Sequence, residues 1–278
     1  DMMAKLGAPN GVIRQTEFFL YTANDRRALD DCRALGHKFP EVTSWIRADK
    51  GDFRLVKEAE VHETGLLTPS SDYHIFYKLK KDRKKAFDDY IEIVDAAWEA
   101  GIRPRVHLED VTRADIDGFV KPYVGELVRR SEQVAPDMHV KIRLCDTMGF
   151  GVPSPGVALP RSIPKLVHTM THELGLPHEC LEWHGHNDFH KVHINGATAW
   201  MYGCNAVNTT LFGFGERTGN PPLEGALIEY ISLHGDLCGI DTMMIQEMAD
   251  YMRSIGVDIA PNYPFIGRDF NTTRAGIH

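Results

Sequence analysis

Basic charge is what this sequence lacks: its 31 Lys and Arg are outnumbered by 39 Asp and Glu, a formal net charge of -8 over 278 residues. Affinity for a phosphate backbone rests on clustered cations, so nucleic-acid binding is excluded. The single basic run, Lys78 to Lys85, reads as a solvated helix start, with contact to an anionic cofactor tail as the alternative. Cysteine is scarce as well. The five, Cys32, Cys145, Cys180, Cys204 and Cys238, are odd in number, widely spread and never in a CxxC pair. That pattern excludes a disulfide framework and predicts a reducing, cytoplasmic setting. No apolar run approaches the roughly 20 residues that span a bilayer, and no signal-peptide pattern opens the chain, so no membrane partner is expected.

Also missing is a glycine-rich phosphate turn after the first candidate strand, which argues against a doubly wound nucleotide-binding sheet. What is present is an alternation of strand and helix signals, with 43% apolar residues to fill one large core. Seven runs read as strands: "GVIRQTEFFLY" from 11, "EVTSWIRA" from 41, "ETGLLTP" from 63, "IRPRVHLED" from 102, "VKIRLCDT" from 140, "CLEWHGHND" from 180 and "NAVNTTLFGFG" from 205. Helical patterns lie in "DFRLVKEAE", "RKKAFDDYIEIVDAAWEAG", "IPKLVHTMTHELG", "VHINGATAWMYG" and "PLEGALIEYISLHG". The opening "DMMAKLGAPNG" reads as the last turns of a helix with its Gly stop. Together these predict an α/β chain folded as a (β/α)8 TIM barrel, with strands two to eight in residues 1–239 and the first strand ahead of residue 1. Residues 240–278, an extra helix and a Pro, Gly and Asn-rich tail, form a linker or lid segment rather than another βα unit.

In such barrels the active site lies where strands end and βα loops begin. Five ends here carry polar clusters: "SSDYH", "HLEDVTR", "CDT", "HGHND" and "GFGERTGN". In "HGHND", residues two apart on a strand point the same way, so His184 and His186 both face the mouth and suit two cis ligands of a divalent ion. His190 and His193 fall on the following helix and read as surface or packing residues. Glu109 and Asp110 point to opposite sides, so one carboxylate faces the mouth; Asp110 suits a helix N-cap. Arg113, Arg47 and Arg14 are candidates for holding a substrate carboxylate through paired N–H donors. The glycine-rich turn before Glu224 opens a helix, where an anion or a purely structural turn fits equally, and Asn220 in that turn could bring an amide oxygen near the metal.

Taken together, these motifs resemble the acyl-CoA condensing enzymes and lyases that include isopropylmalate synthase, homocitrate synthase and hydroxymethylglutaryl-CoA lyase, the DRE-TIM metallolyases. The likeness rests on "HGHND" with Asn195, "GFGERTGNPPLE" and the final "TRAGIH", together with "SSDYHIFYKL", "LEDVTR" and "CDTMGFGVPSP". The wording of "GVIRQTEFFLY", "TGLLTPSSDYHIFYKLKK" and "TRADIDGF" is similar to one branch, the Re-face citrate synthases. The resemblance implies that His184 and His186 are metal ligands with Asn220 beside them. It implies that Thr147, Arg113 and His74 belong to the 2-oxo acid site, that Glu109 serves the catalytic relay, and that His278 reaches a neighbouring subunit's site in a homodimer. Two departures stand out. His190 occupies a position where the family commonly has Gly, and the opening strand, which in the family carries an Asp ligand and a catalytic Arg, is not in the sequence.

The activity this implies is a Claisen condensation of acetyl-CoA with a 2-oxo acid, dependent on Mn or Co, with Mg or Zn as the other candidates. Oxaloacetate, giving citrate, is the acceptor expected. Nothing in composition or spacing separates it from 2-oxoglutarate or 2-oxoisovalerate, the acceptors of the homocitrate and isopropylmalate enzymes. A lyase of the hydroxymethylglutaryl-CoA type would carry a reactive Cys in the glycine-rich loop, and "GFGERTGN" has none. A non-catalytic metal-binding barrel is the remaining alternative.

Overall fold

The computed structural model describes residues 1–7, 9–273, 275 and 276. Seven parallel strands form one sheet in chain order: β1 (Gln15–Phe18), β2 (Glu41–Arg47), β3 (Glu63–Pro69), β4 (Arg103–Glu109), β5 (Lys141–Asp146), β6 (Leu181–Gly185) and β7 (Ala206–Val207). Each lies inside a run that the sequence marks as a strand. Parallel neighbours need crossovers, and here they are helical: α2 (Ala23–Ala34), α3 (Lys50–Ala59), α4 (Arg83–Glu99), α5 (Lys121–Ser131), α6 (Ile163–His168) and α7 (Val192–Tyr202), with α8 (Leu223–His234) after β7. Among the described residues no strand joins β7 to β1, so the barrel wall is open on that side.

Period-2 alternation sorts the side chains. On β4, Val106 and Leu108 point outward into the main core, which they share with Ile142 and Leu144 of β5 and Leu181 and Trp183 of β6. The inner face is charged instead. Arg105 on β4 and Lys141 and Arg143 on β5 meet Glu17 on β1, Glu63 on β3 and Glu182 on β6, three cations against three carboxylates. Arg143 Nη1 donates to Glu17 Oε2 at 2.8 Å, and its Nε and Nη2 donate to Glu182 Oε2 at 2.9 and 2.7 Å. In a flat sheet β1 and β5, four strands apart, would stand about 19 Å from each other. The Glu17–Arg143 contact therefore requires the sheet to curl.

A second apolar cluster lies at the chain's two ends. α1 (Met2–Leu6) contributes Leu6, and α9 (Met243–Ser254) contributes Met244, Ile245 and Met248; they pack with Ile13, Phe212, Leu223 and Leu227. The extra helix after residue 240 thus shares a core with α1 and the start of α8.

Three local features differ from the expectation. The seventh strand is two residues long, because the chain turns at Leu211–Gly213 and Thr210 bridges to Pro222 instead. α2 and α5 have no counterpart among the helical patterns singled out. α2 is polar and buries only Leu29, and its start is set by a capping box in which Thr22 and Asp25 exchange bonds. Arg14, expected at the substrate, precedes β1 at the N-terminal end of the sheet and lies over the Phe39 ring at 4.5 Å.

The inner network sets the response to acid. Burial pushes Glu17 and Glu182 up, but Arg105 and Arg143 outweigh it and hold each at about 2, against an ordinary 4.5. A depressed carboxylate stabilises the fold above the unfolded pKa and loses that contribution as pH falls through the folded one. Urea-unfolding midpoints should therefore decline from about pH 4.5 toward pH 2. Arg143→Met leaves two buried carboxylates short of a partner and is expected to cost about 3–5 kcal/mol at pH 7; an unchanged urea midpoint in that variant would show the network to be idle.

Candidate active site

β6 ends at Gly185, and the chain continues outward through His186, so both imidazoles stand at the C-terminal rim of the sheet. Their Nε2 atoms approach to 3.1 Å, with the rings edge-on at 84°. His184 Nδ1–H donates to Asn208 Oδ1 at 2.7 Å, which fixes the tautomer and leaves Nε2 as a lone pair. Burial, then His186 and Arg143, lowers the His184 pKa to about 3, and burial with Arg217 lowers that of His186, so both rings are neutral at pH 7. His186 Nδ1 is buried without a hydrogen-bond partner. Two converging neutral nitrogens, one with its second-shell partner in place, fit a borderline divalent ion. Among the described residues no third His, Cys, Asp or Glu side chain completes the group.

β4, two strands from the pair, delivers a second cluster at the same rim. Its last residue, Glu109, faces the mouth, with Lys78 Nζ 2.8 and 3.0 Å from its two oxygens and His74 Nδ1 3.4 Å away. Burial raises the Glu109 pKa, but His74 and Lys78 outweigh it and hold the carboxyl below its ordinary value. Asp110 follows with a left-handed backbone (φ 65°), which breaks the strand alternation, and its carboxylate lies 3.9 Å from Nε2 of the same His74 ring rather than on the opposite side as expected. Its carboxylate is fully buried and makes no cap bond; it accepts instead from Ser71 Oγ at 2.5 Å and pairs with Arg113 Nη2 at 2.7 Å. Asp110 N–H donates to Thr147 Oγ1 at 2.8 Å, tying the β4 and β5 ends together.

Arg217 ties in the glycine-rich loop. Its guanidinium forks onto Asp188 (2.8 and 3.0 Å) and also donates to the Thr147 carbonyl. Asn187 N–H donates to the Gly219 carbonyl at 3.0 Å, and Asn220 Nδ2 to the Gly185 carbonyl at 3.0 Å. The loops after β5, β6 and β7 are thus held to one another around His186.

Of the residues singled out in the sequence, His184, His186, Glu109, His74, Arg113, Thr147 and Asn220 all stand at this mouth. Arg47 is at the rim of β2, but its guanidinium is bound to Asp52 at 2.7 and 3.1 Å and its side chain is largely exposed. Arg14 is at the opposite end. His190 lies before α7 in a left-handed turn (φ 57°) rather than on the helix as expected, His193 lies on α7 3.4 Å from Glu229, and both are on the surface. His278 lies outside the described residues. At the start of α8, the buried Glu224 carboxylate accepts from Phe212 N–H and from Tyr263 Oη at 2.7 Å, so the helix N-terminus already faces an anion of its own. Asn208, Lys78 and the Arg217–Asp188 pair were not anticipated. Asn208 stands in a run read as strand, Lys78 in a run read as solvent-facing, and Arg217 in a loop read for its glycines.

Two outcomes follow from this geometry. Asn208→Ala removes the partner that orients His184 and should weaken Co²⁺ binding about 10- to 100-fold in calorimetry; equal affinity would mean that the ring is oriented by packing alone. Arg217→Ala should raise amide hydrogen exchange in 147–150, 187–190 and 215–219 together, whereas independent loops would loosen only around residue 217.

Comparison with known proteins agrees with this architecture. The chain is 55% identical to a Citrate (Re)-synthase of Syntrophus aciditrophicus over 279 aligned positions, all of this chain and 44% of that protein. It is 49% identical to a Citrate (Re)-synthase of Clostridium kluyveri, again over its whole length and over 61% of that protein. The chain therefore spans about half the length of these curated relatives. Among solved structures, hydroxymethylglutaryl-CoA lyase from Pseudomonas aeruginosa superposes with a TM-score of 0.65 at 18% identity, covering 85% of this chain and 76% of that one, which shows the barrel fold. The model of the HMGL-like family matches residues 21–252, every strand from β2 to β7 and the site described above, and the chain belongs to that family.

Proposed function

We propose that this chain is the catalytic core of a divalent-metal-dependent acyltransferase that condenses acetyl-CoA with oxaloacetate on its Re face, giving citrate and free CoA. The observation that carries the reading is the pair of neutral, converging imidazoles, His184 and His186, framed by Glu109, Arg113 and Thr147. Whole-chain identity to two Citrate (Re)-synthases supports the choice of acceptor.

His184 and His186 would hold the ion, Mn or Co in this proposal, and when bound it supplies Lewis-acid polarisation of a ketone oxygen. The remaining work falls to the chain. Thr147 Oγ1 accepts the Asp110 N–H, which leaves its own O–H to donate to a substrate carboxylate. Arg113 presents its guanidinium beside it, already charge-balanced by Asp110. Glu109 stays ionised at neutral pH, which suits it to orienting and charging a neighbouring imidazole. We assign the removal of the acetyl methyl proton to His278, delivered by residues 240–278 from the other subunit of a cytoplasmic homodimer. The methyl carbon then forms its bond to the ketone carbon, the ketone oxygen takes up a proton, and water cleaves the thioester to release CoA and a carboxylate.

A thiol-release assay with acetyl-CoA, Mn²⁺ or Co²⁺, and each of oxaloacetate, 2-oxoglutarate and 2-oxoisovalerate tests this directly. Release is expected with oxaloacetate; preference for another acid moves the protein to a sister activity, and silence with all three removes the condensation reading.

A further inference from the structure

Most positive charge at the mouth is already paired. Arg47 faces Asp52, Lys78 faces Glu109, Arg113 faces Asp110 and Arg217 faces Asp188. In the basic run after Lys78, Lys81 and Lys85 pair with Asp89 and Lys84 with Asp88, so a carboxylate already answers these cations too. Two cations on the next loops differ. Among the described residues neither Arg161 nor Lys191 has a carboxylate in ion-pair contact. Lys191 Nζ donates to the Gly151 carbonyl at 2.7 Å, and the Arg161 guanidinium lies 4.6 Å over the Phe150 ring.

Aromatic surface stands with them. Phe150 stacks on Phe189 with centroids 5.4 Å apart, Lys191 Nζ is 5.8 Å from the Phe189 ring, and Phe189 is 53% exposed. A phenylalanine pair with one half-exposed ring is thus flanked by two cations that no carboxylate neutralises, on a chain of net charge -8. The patch is also firmly placed. Gly151 N–H donates to the buried Asp146 carboxylate at 2.9 Å, and Gly149, at φ 68°, passes so near the His186 carbonyl that a Cβ there would stand 3.0 Å from it. Phe150 therefore sits between two anchored residues, next to the backbone that carries His186.

We propose that Phe150, Phe189, Arg161 and Lys191 receive the phosphorylated adenosine end of the acyl-CoA substrate. The inference rests on the acyl-CoA reading above. An adenine ring offers a π face for stacking, and its phosphates need donors that do not first have to give up a carboxylate. A short 2-oxo dicarboxylate has no ring to match the phenylalanine pair, and inorganic phosphate would use the cations and leave the rings idle.

Calorimetric titration of the purified protein with CoA and with dephospho-CoA, which lacks only the 3′-phosphate, tests the assignment. The wild type should prefer CoA by about tenfold, the scale of one charge-assisted contact. Arg161→Gln and Lys191→Gln should each remove most of that preference, while Phe189→Leu, at the half-exposed ring, should weaken both ligands alike by roughly five- to tenfold. Because Arg161 is exposed and has no carboxylate to orphan, its variant should keep the wild-type melting temperature. Wild-type affinities in all three variants, or equal wild-type affinity for the two ligands, overturn the patch and leave the acyl-CoA reading standing. Failure of the wild type to bind either ligand overturns both.

Discussion

The structure turns on two guanidinium groups buried inside a curled sheet. Arg105 and Arg143 draw their carboxylates from β1, β3 and β6, and the Glu17–Arg143 contact joins residues 126 apart in sequence. Buried ion pairs are poor sources of net stability, yet removing one partner is expensive, so the arrangement tolerates little change of strand register. A slip of one residue on β4 would turn Arg105 into the apolar outer layer and Val106 into the carboxylates. Curl and register are thus enforced by the same contacts.

That charged floor also conditions the mouth above it. His184 sits on β6 two residues beyond Glu182, near Arg143, and burial with this neighbouring cation keeps its ring neutral. Asn208 then decides which nitrogen is free. Burial and the neighbouring His186 and Arg143 outweigh the opposing pull of Glu17, which leaves the ring in the neutral form that ligation of a metal would require. Glu109, two strands over on β4, is held in the opposite condition, ionised, by His74 and Lys78. One barrel end therefore presents neutral nitrogen donors and, two strands away, a charged carboxylate, a division of labour suited to acid–base chemistry.

Much of this was legible. All seven strands fall within runs picked out by apolar and β-branched character, and the His184–Gly185–His186 spacing alone implies two side chains on one face. The same period predicts opposed directions for Glu109 and Asp110, but the left-handed backbone at Asp110 breaks the alternation and both carboxylates reach the His74 ring. Legibility failed where a residue's partner is distant in sequence. Asn208 and His184 are 24 residues apart and Arg217 and Thr147 are 70 apart, so neither pairing leaves a local signature. Arg14 misled because an arginine near a strand says nothing about which end of that strand it occupies. α2 was missed because it buries one apolar residue and offers almost no helical stripe.

By itself the sequence determined the class of the fold, the strand count within it and the two imidazoles at a strand end, because all three are set by short-range periodicity. Tertiary structure decided which cations are committed. Arg47, Lys78, Arg113 and Arg217 are each answered by a carboxylate, while Arg161 and Lys191 meet aromatic rings and a backbone carbonyl instead. The reason is physical. A side chain's type is local, but whether its charge is free depends on what the fold brings within about 4 Å of it, where Coulomb attraction outweighs competition from water.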